Sequence, residues 1–371
     1  MRLLLNRREL FQSALATALS RKLLSGAQIS SNVTPSKFAL PGLYRGKVVA
    51  VEHTGSIVSG RYQAEPVRQM MSRGMAELTG ASSWADAWKH FVSPGEVIGI
   101  KVNPVGQPLV ISAPEVLRPI IDGLNAAGIP NKDIVVYDRY RDQFYQAGFD
   151  KWLPQGVRVS NAVQSYDPIQ LDIKGYDPDH YMEMALTHPG HDSVEARRSY
   201  AAKFITREVD KLINLCVLKD HQSAGVTLSL KNLSHGLVNN VSRSHSTVSL
   251  NACGAFIPAA VSLPVIRNKA VLHVLDGVKG LYHGGPPAKP QFVWEHKTIY
   301  FATDPVALDH IGWEVIDAKR VSVGMKRLVE DTPDKFSTYV HRQPEHVEIA
   351  GALGLGVWER KKIDLRNVRL A

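Results

Sequence analysis

Residues 97–137 restrict the fold more than any other stretch of the chain. A short apolar run, Val97–Val102, ends in Lys101-Val102-Asn103-Pro104. A helical pattern follows over Pro114–Ala127, closed by Gly128, a residue type favoured just past a helix C-terminus. A second apolar run, Asp133–Tyr137, then ends in Asp138-Arg139. Strand, helix and strand within about 40 residues leave room for a crossover and not for a hairpin, so the two strands are expected to lie parallel. Polar residues at the C-terminal ends of such strands face the crevice where α/β proteins bind ligands.

The same alternation runs along most of the chain. Strands are expected at Lys47–Glu52, Lys211–Leu218, Ala270–Leu275 and Thr298–Ala302. Helices are expected at Glu65–Leu78, Trp84–Phe91, Thr227–Leu237, Ala255–Ser262, Pro305–Ala318 and Pro344–Ala352. Asp304-Pro305 reads as an N-cap followed by proline at the first helical position. Between about 157 and 209 the periodicity fades among Asp, Pro, His and Tyr; this stretch reads as an irregular insertion with one helix near Ser193–Phe204. The expected fold is α/β, a mostly parallel sheet with helices on both faces, in a single domain over 47–371 after a linker at 28–46.

Composition narrows the classes. The chain has 371 residues, 44% hydrophobic and 21% charged, ordinary for a globular protein with a core. No apolar stretch approaches the roughly 20 residues of a membrane-spanning helix, so no integral span is expected. Of the net charge of +9, residues 1–27 contribute +4 through Arg2, Arg7, Arg8, Arg21 and Lys22 against Glu9. The remaining Lys and Arg are interspersed with Asp and Glu, which argues against nucleic acid as a partner and leaves a modest preference for small anions. Cys216 and Cys253 are the only cysteines, too few for an iron–sulfur cluster held by this chain; they read as two buried thiols or one disulfide.

The N-terminus reads as an address. Asn6-Arg7-Arg8-Glu9-Leu10-Phe11, an apolar run to Leu19 and Ser25-Gly26-Ala27 resemble a twin-arginine signal over residues 1–27. The resemblance implies the twin-arginine translocation machinery as a partner and a periplasmic or otherwise exported location, membrane-tethered if the segment is not cleaved. That route carries folded cargo, which permits a cofactor loaded before export.

The candidate chemistry is concentrated after the Lys211 strand. Lys219 and His221 stand at its end, Gly225 permits a tight turn, and Thr227 is placed to cap the next helix. Thr227 and Lys231, four residues apart, share one helix face with Asn232 beside them. Arg243 and His245 follow, and Lys101 and Asn103 arrive from the earlier strand. A fold gathers such cations around a carboxylate or phosphate. A lysine crowded by other cations loses proton affinity and becomes a base or nucleophile. His221 and His245 are proton carriers near neutral pH, and neutral imidazoles also ligate metals. Lys231, His221 and His245 are therefore the catalytic candidates, with Lys101, Asn103, Lys219, Asn232 and Arg243 as substrate-binding candidates and His221 and His245 as candidate metal ligands. His283, within a Gly- and Pro-rich loop, reads either as part of a flap over a ligand or as solvent-facing. Asp304 reads as a helix cap and Asp309 as a residue able to face the site. The chain contains no G-x-S-x-G, and Gly351-Ala-Leu-Gly354-Leu-Gly356 lacks the spacing of a dinucleotide loop.

The run Lys219-x-His221-x-x-x-Gly225-Val226-Thr227-Leu-Ser229-Leu-Lys231-Asn232, with Arg243-x-His245, resembles the family catalogued as domain of unknown function 362. Ile100-Lys101-Val-Asn103, Asp276-Gly277, Gly284-Gly285-Pro286 and Thr303-Asp304-Pro305-Val306-Ala307-Leu308-Asp309 agree in order. Many relatives carry or accompany ferredoxin-type cysteine motifs, which this chain lacks. The order His221…Lys231…His245 also resembles lactate racemase-type proteins, in which a lysine carries a nickel-pincer nucleotide and histidines ligate nickel or move protons. Leu228, Ser229 and Leu230 stand where those proteins have small, glycine-rich residues. Three functions follow: an exported enzyme acting on a small anion, with or without a metal or nickel-pincer cofactor; a non-catalytic anion, metal or cofactor binder; or an accessory protein to an iron–sulfur redox system.

Overall fold

The structure, a computed structural model, describes residues 29–30 and 36–370. The twin-arginine-type segment and most of the 28–46 linker lie outside the described residues.

One mixed sheet organises the chain. Its strands are β1 (Lys47–His53), β2 (Ile98–Lys101), β3 (Ile134–Tyr137), β4 (Arg158–Ser160), β5 (Lys211–His221), β6 (Ala270–Leu281), β7 (Val293–Ala302) and β8 (Asp364–Leu370). The order across the sheet is β8-β1-β7-β6-β5-β2-β3-β4, and the short strand Gly225–Val226 folds back onto the end of β5. The run β6-β5-β2-β3-β4 is parallel throughout, whereas β7 lies antiparallel to both its neighbours. The sheet is mostly parallel, as the crossover pattern requires.

Alternation along the strands separates two cores. Val49, Val51, Ile98, Ile100, Ile134 and Val136 face α1 (Ala64–Thr79), α2 (Trp84–Lys89) and α3 (Pro114–Ala126). Met70 and Met71 pack here as core residues. Val48, Ala50, Val135, Tyr137, Leu212 and Leu218 face α4 (Leu228–Leu237), α5 (Cys253–Val261), α6 (Pro305–Ser322) and α7 (His346–Ala352). Helices thus cover both faces. Every residue of β5 after Lys211 is buried, which is why Leu212–Leu218 reads as an apolar run interrupted by Asn214 alone.

The insertion differs from its sequence reading. It contains an antiparallel pair, Tyr176–Glu183 with Arg198–Ala202, and Ile29–Ser30 adds to its outer edge. The register shifts between Asp177 and Tyr181, so Pro178, Asp179 and His180 sit in an irregularity that hides the strand's period. The helix expected at Ser193–Phe204 is a single turn, Val194–Arg197, before the chain extends again. Both cysteines are free and buried.

Asp304 caps α6 as its position suggests. Its Oδ1 accepts from Val306 N at 3.1 Å and Ala307 N at 2.9 Å, and its Oδ2 accepts from Gly46 N at 3.0 Å and Val357 N at 2.9 Å. One carboxylate therefore ties the start of α6 to the chain entering β1 and to the segment leading into β8. Asp304→Ala leaves four backbone donors without their acceptor and is expected to cost at least about 3 kcal/mol of stability, measured by denaturant unfolding of the full chain.

Candidate functional site

The C-terminal ends of three adjacent parallel strands open into one cavity of about 270 Å³. Strand β5 supplies Lys219 and His221, β2 supplies Lys101 and, just beyond it, Asn103, and β3 leads into Asp138, Arg139 and Tyr140. The fourth wall is α4 with the turn beyond it, contributing Thr227, Lys231, Asn232, His235 and His245. Seven of the eight residues proposed from the sequence line this space: Lys101, Asn103, Lys219, His221, Lys231, Asn232 and His245.

Arg243 is the exception. It is fully buried and spends its donors on the chain itself: Nη1 on the carbonyls of Leu186 at 2.5 Å and Arg197 at 2.7 Å, Nη2 on Ser199 Oγ at 2.9 Å, and Nε on Asn240 O at 3.2 Å. Its role is to pin the insertion to the turn after α4, and it does not reach the cavity. His283 departs from expectation too. It is buried, with Nε2 2.7 Å from Asp334 Oδ2 and Nδ1 accepting from Arg320 and Arg342, inside a network that also holds Asp220. It neither faces solvent nor closes over the site.

The three cavity lysines are held differently. Lys101 Nζ lies 2.6 Å from Asp138 Oδ1 and also donates to Val102 O at 2.5 Å. A Cβ at Gly236 would collide with the Lys101 side chain, so a glycine there lets Lys101 pass beneath α4. Lys219 Nζ donates to Asn103 Oδ1 at 2.9 Å and to the carbonyl of Val105. Lys231 Nζ has no hydrogen bond or ion pair among the described residues, although its side chain is buried. Burial, then the nearby cations, pulls Lys219 down to about 7 and Lys231 to about 8, from about 10.5. For Lys231 the cations are Arg139 and Lys101, partly offset by Cys253.

A buried amide relay fixes this floor. Asn232 Oδ1 accepts from Asn103 Nδ2 at 3.1 Å and Lys101 Nζ at 3.3 Å, while its Nδ2 donates to Asn214 Oδ1 at 2.7 Å. Asn214 Nδ2 continues to Ser229 Oγ at 2.9 Å. Helix α4 starts under similar control. Thr227 makes no capping bond; Asp309 of α6 takes that place, accepting from Ser229 N at 2.7 Å and Leu230 N at 2.8 Å. Leu228 adopts a positive φ of 41°, which turns the chain into the helix over that carboxylate. Asp309 thus supports the lysine helix from behind and does not enter the cavity.

The histidines are neutral, and their bonds assign the tautomers. His221 Nδ1 accepts from the backbone N–H groups of Ser223 at 3.1 Å and Ala224 at 3.2 Å, so its proton sits on Nε2. His245 Nδ1 donates to Ser242 O at 3.2 Å, leaving a lone pair on Nε2. Their ring centroids are 5.8 Å apart. Burial, reinforced by Lys231 and other cations, drives His221 well below its ordinary value, and burial together with Lys231 takes His245 down to about 3. Both imidazoles are thus lowered away from the neutral range in which the sequence suggested they carry protons, while Lys219 and Lys231 are lowered toward it. His235, one turn beyond Lys231 on the same face, stacks edge-on to His245 with centroids 5.5 Å apart. It went unremarked in the sequence, although the i, i+4 spacing that joins Thr227 to Lys231 continues to it. Among the described residues no group of three or more His, Cys, Asp or Glu side chains converges as a metal-ligand set.

The family model for a domain of unknown function (DUF362) matches residues 98–314, more than half of the chain, and the chain belongs to that family. No curated protein matches it. Among solved structures it is similar to a protein from Thermotoga maritima, at 12% identity and a TM-score of 0.35, over 59% of this chain and 51% of that one. It is also similar to the lactate racemase apoprotein from Thermoanaerobacterium thermosaccharolyticum, at 9% identity and a TM-score of 0.39, over 77% of this chain and 59% of that one. The chain spans between half and three-fifths of the length of those two proteins. No helix among the described residues is long and apolar enough to cross a membrane.

The lowered lysine has a stability signature. The unfolded chain keeps an ordinary lysine near 10.5 while the folded one titrates at about 8, so between those values the unfolded state binds more protons and stability rises with pH. Below about pH 8 the buried ammonium costs about 3 kcal/mol. Lys231→Met is therefore expected to stabilise the protein by that order at pH 6.5, with the gain shrinking above pH 8. Parallel denaturant titrations at pH 6.5 and 9.5 check this; an equal or absent gain at both would show that the amine is not strained.

Proposed function

We propose that the chain is an enzyme acting on a small carboxylate-bearing molecule, with Lys231 as the group that takes and returns a proton beside that carboxylate. The observation that carries this reading is the unpartnered Lys231 amine, on a buried side chain that opens into a cavity shared with two further lysines, and lowered to about 8. An ammonium that serves only structure is paired, as Lys101 is with Asp138. A lysine left without a counter-charge reaches its free-base form near neutral pH, where a base is useful.

The remaining residues then have defined tasks. Lys219, anchored through Asn103, faces the substrate carboxylate. His221 presents a neutral Nε2–H toward charge that develops on an oxygen as the neighbouring proton leaves, a role that requires a low proton affinity. His245 offers its Nε2 lone pair to a substrate hydroxyl. Water is limited by the burial of Lys219, His221 and Lys231, with His245 half-buried.

A lysine-linked nickel-pincer nucleotide fits this donor set in part. Lys231 has a free amine for attachment and His245 a free nitrogen for a metal, and the group would supply a metal centre beside the substrate. Its phosphate has no place at the start of α4, because Asp309 already occupies the Ser229 and Leu230 N–H groups. The alternative of a binder without chemistry uses the same cations but gives no reason to leave Lys231 unpaired.

In deuterated buffer the wild-type protein is expected to exchange the α-hydrogen of a 2-hydroxy or 2-unsubstituted carboxylate, with a rate that rises through about pH 8 as Lys231 loses its proton. Lys231→Ala should reduce exchange at least 100-fold while the fold survives, followed by NMR of the substrate and circular dichroism of the protein. Binding of the acid with no exchange at any pH would leave a binding protein in place of an enzyme.

We also place the protein outside the cytoplasm, on the Arg7-Arg8 pattern. Changing both arginines to lysine is expected to retain the protein in the cytoplasm on cell fractionation; undiminished export would remove the twin-arginine reading.

A further inference from the structure

The cavity holds more positive charge than its walls neutralise. Lys101, Arg139, Lys219 and Lys231 line it against a single carboxylate, Asp138, and all of these cationic side chains are buried. Asp138 is committed to Lys101 at 2.6 Å. Lys219 bonds only to an amide and a carbonyl, Lys231 to nothing, and Arg139 to neutral groups among the described residues. The two lysines can shed their charge. Arg139 cannot, because a guanidinium stays protonated at any pH a folded protein meets.

The surroundings of Arg139 differ from those of the other deeply buried arginines. Arg320 and Arg342 share Asp331, at 2.6 Å and 2.8 Å, and Arg342 also reaches Asp220 at 3.2 Å. Arg243 spreads its donors over the carbonyls of Leu186, Arg197 and Asn240, away from the cavity. Arg139 has neither arrangement. Its Nε donates to Tyr176 OH at 2.8 Å, Nη2 to Gln170 Oε1 at 3.0 Å, and Nη1 only to His235 O at 3.4 Å. A guanidinium carries five N–H groups, so those of Arg139 exceed its acceptors while the residue is 3% exposed and lines the void. A buried cation with donors to spare is stabilised by an anion that supplies both charge and acceptors.

The excess also bears on how many negative charges the ligand carries. When Lys231 is in its free-base form, Lys219 and Arg139 remain, and one carboxylate answers only one of them. Their strands, β5 and β3, have β2 alone between them, so two strand spacings, roughly 10 Å, separate the two backbones. The void of about 270 Å³ lies below the roughly 300–1,000 Å³ of drug-sized ligand sites and suits a small molecule.

We infer that the substrate is a short dicarboxylate, one carboxylate at Lys219 beside the proton that Lys231 removes and the second at Arg139. The reacting end rests on the proposed function; the second carboxylate rests on Arg139. A phosphate in the second position would call on the free N–H groups of a helix N-terminus, and at α4 Asp309 already holds them.

Calorimetric titration of the full-length protein with succinate, monomethyl succinate, butyrate and 3-phosphonopropionate tests this. The monomethyl ester keeps the length of succinate and removes one charge. Succinate is expected to bind at least about ten-fold more tightly than the ester and butyrate, the worth of one charge-assisted contact, and more tightly than the phosphonate. Arg139→Gln should bring succinate to within about three-fold of butyrate without weakening butyrate, with circular dichroism confirming the fold. Should that variant not fold, the comparison of succinate with its ester on the wild type still decides. Equal binding of those two overturns the second carboxylate and leaves the proposed function standing. A succinate advantage that survives in folded Arg139→Gln removes Arg139 from the site, and tighter binding of the phosphonate replaces the dicarboxylate. No binding of any of the four acids overturns the carboxylate site of the proposed function itself.

Discussion

Three lysines are drawn to one edge of a parallel sheet, and only one of them meets a carboxylate. Asp138 neutralises Lys101 at 2.6 Å, while Lys219 is spread over an amide and a carbonyl and Lys231 is left to the cavity. Like charges converging in a buried space are unfavourable, so the surrounding scaffold must hold them there. The scaffold does so with neutral groups: Asn103, Asn232 and Asn214 pass a continuous line of amide hydrogen bonds from the lysines to the interior of β5. Amides can fix an ammonium without cancelling its charge, whereas a second carboxylate in their place would return Lys219 and Lys231 to ordinary proton affinity. The depressed values at both lysines follow first from burial, which an amide shell does not offset as carboxylates would.

The histidines show the same field from the other side. Burial disfavours a charge on either imidazole, and Lys231 adds to the effect at both. What remains useful is their direction. The tight return from β5 to Gly225–Val226 points backbone N–H groups at His221 Nδ1, and the turn before His245 points a carbonyl at its Nδ1. Two identical side chains become a donor and an acceptor because backbone geometry gives them opposite tautomers, an asymmetry the sequence does not display.

Legibility in the sequence followed local pattern. Strand β5 and the polar residues at its end were readable because a run apolar but for Asn214 fits a central strand, and the crossover at 97–137 fixed β2 beside β3 in parallel. These two facts bring together Lys101, Asn103, Lys219 and His221, and α4 with the turn beyond it adds Lys231, Asn232 and His245. Arg243 was misplaced because its charge type suggests a ligand, whereas its burial among the carbonyls of Leu186 and Arg197 depends on an insertion whose strands were hidden by Pro178-Asp179-His180. The edge strand β8 was missed for a related reason: its pattern is mostly polar, and its position is set by Asp304, 60 residues earlier in the chain, through Val357. The cap on α4 was likewise assigned to Thr227 from sequence proximity, when the acceptor comes from α6 as Asp309. Each miss involves a partner distant in sequence, which periodicity cannot supply.

The division of labour inside the cavity follows from the same architecture. Residues on β2, β5 and α4 are locked by the relay, by Asp309 and by close packing such as that of Gly236 on Lys101, so their geometry tolerates little change. Tyr166 and Gln170 belong to the insertion, which begins with β4 of the sheet itself, continues the pairing through the Tyr140–Val163 bridge, and is further tied by Arg139 and Arg243 and by the bridge between Ala201 and Val238. The residues at both ends of the cavity therefore share one support, the C-terminal edge of β5, β2, β3 and β4, and a shift in the insertion is transmitted through β4 to the strands that carry the lysines.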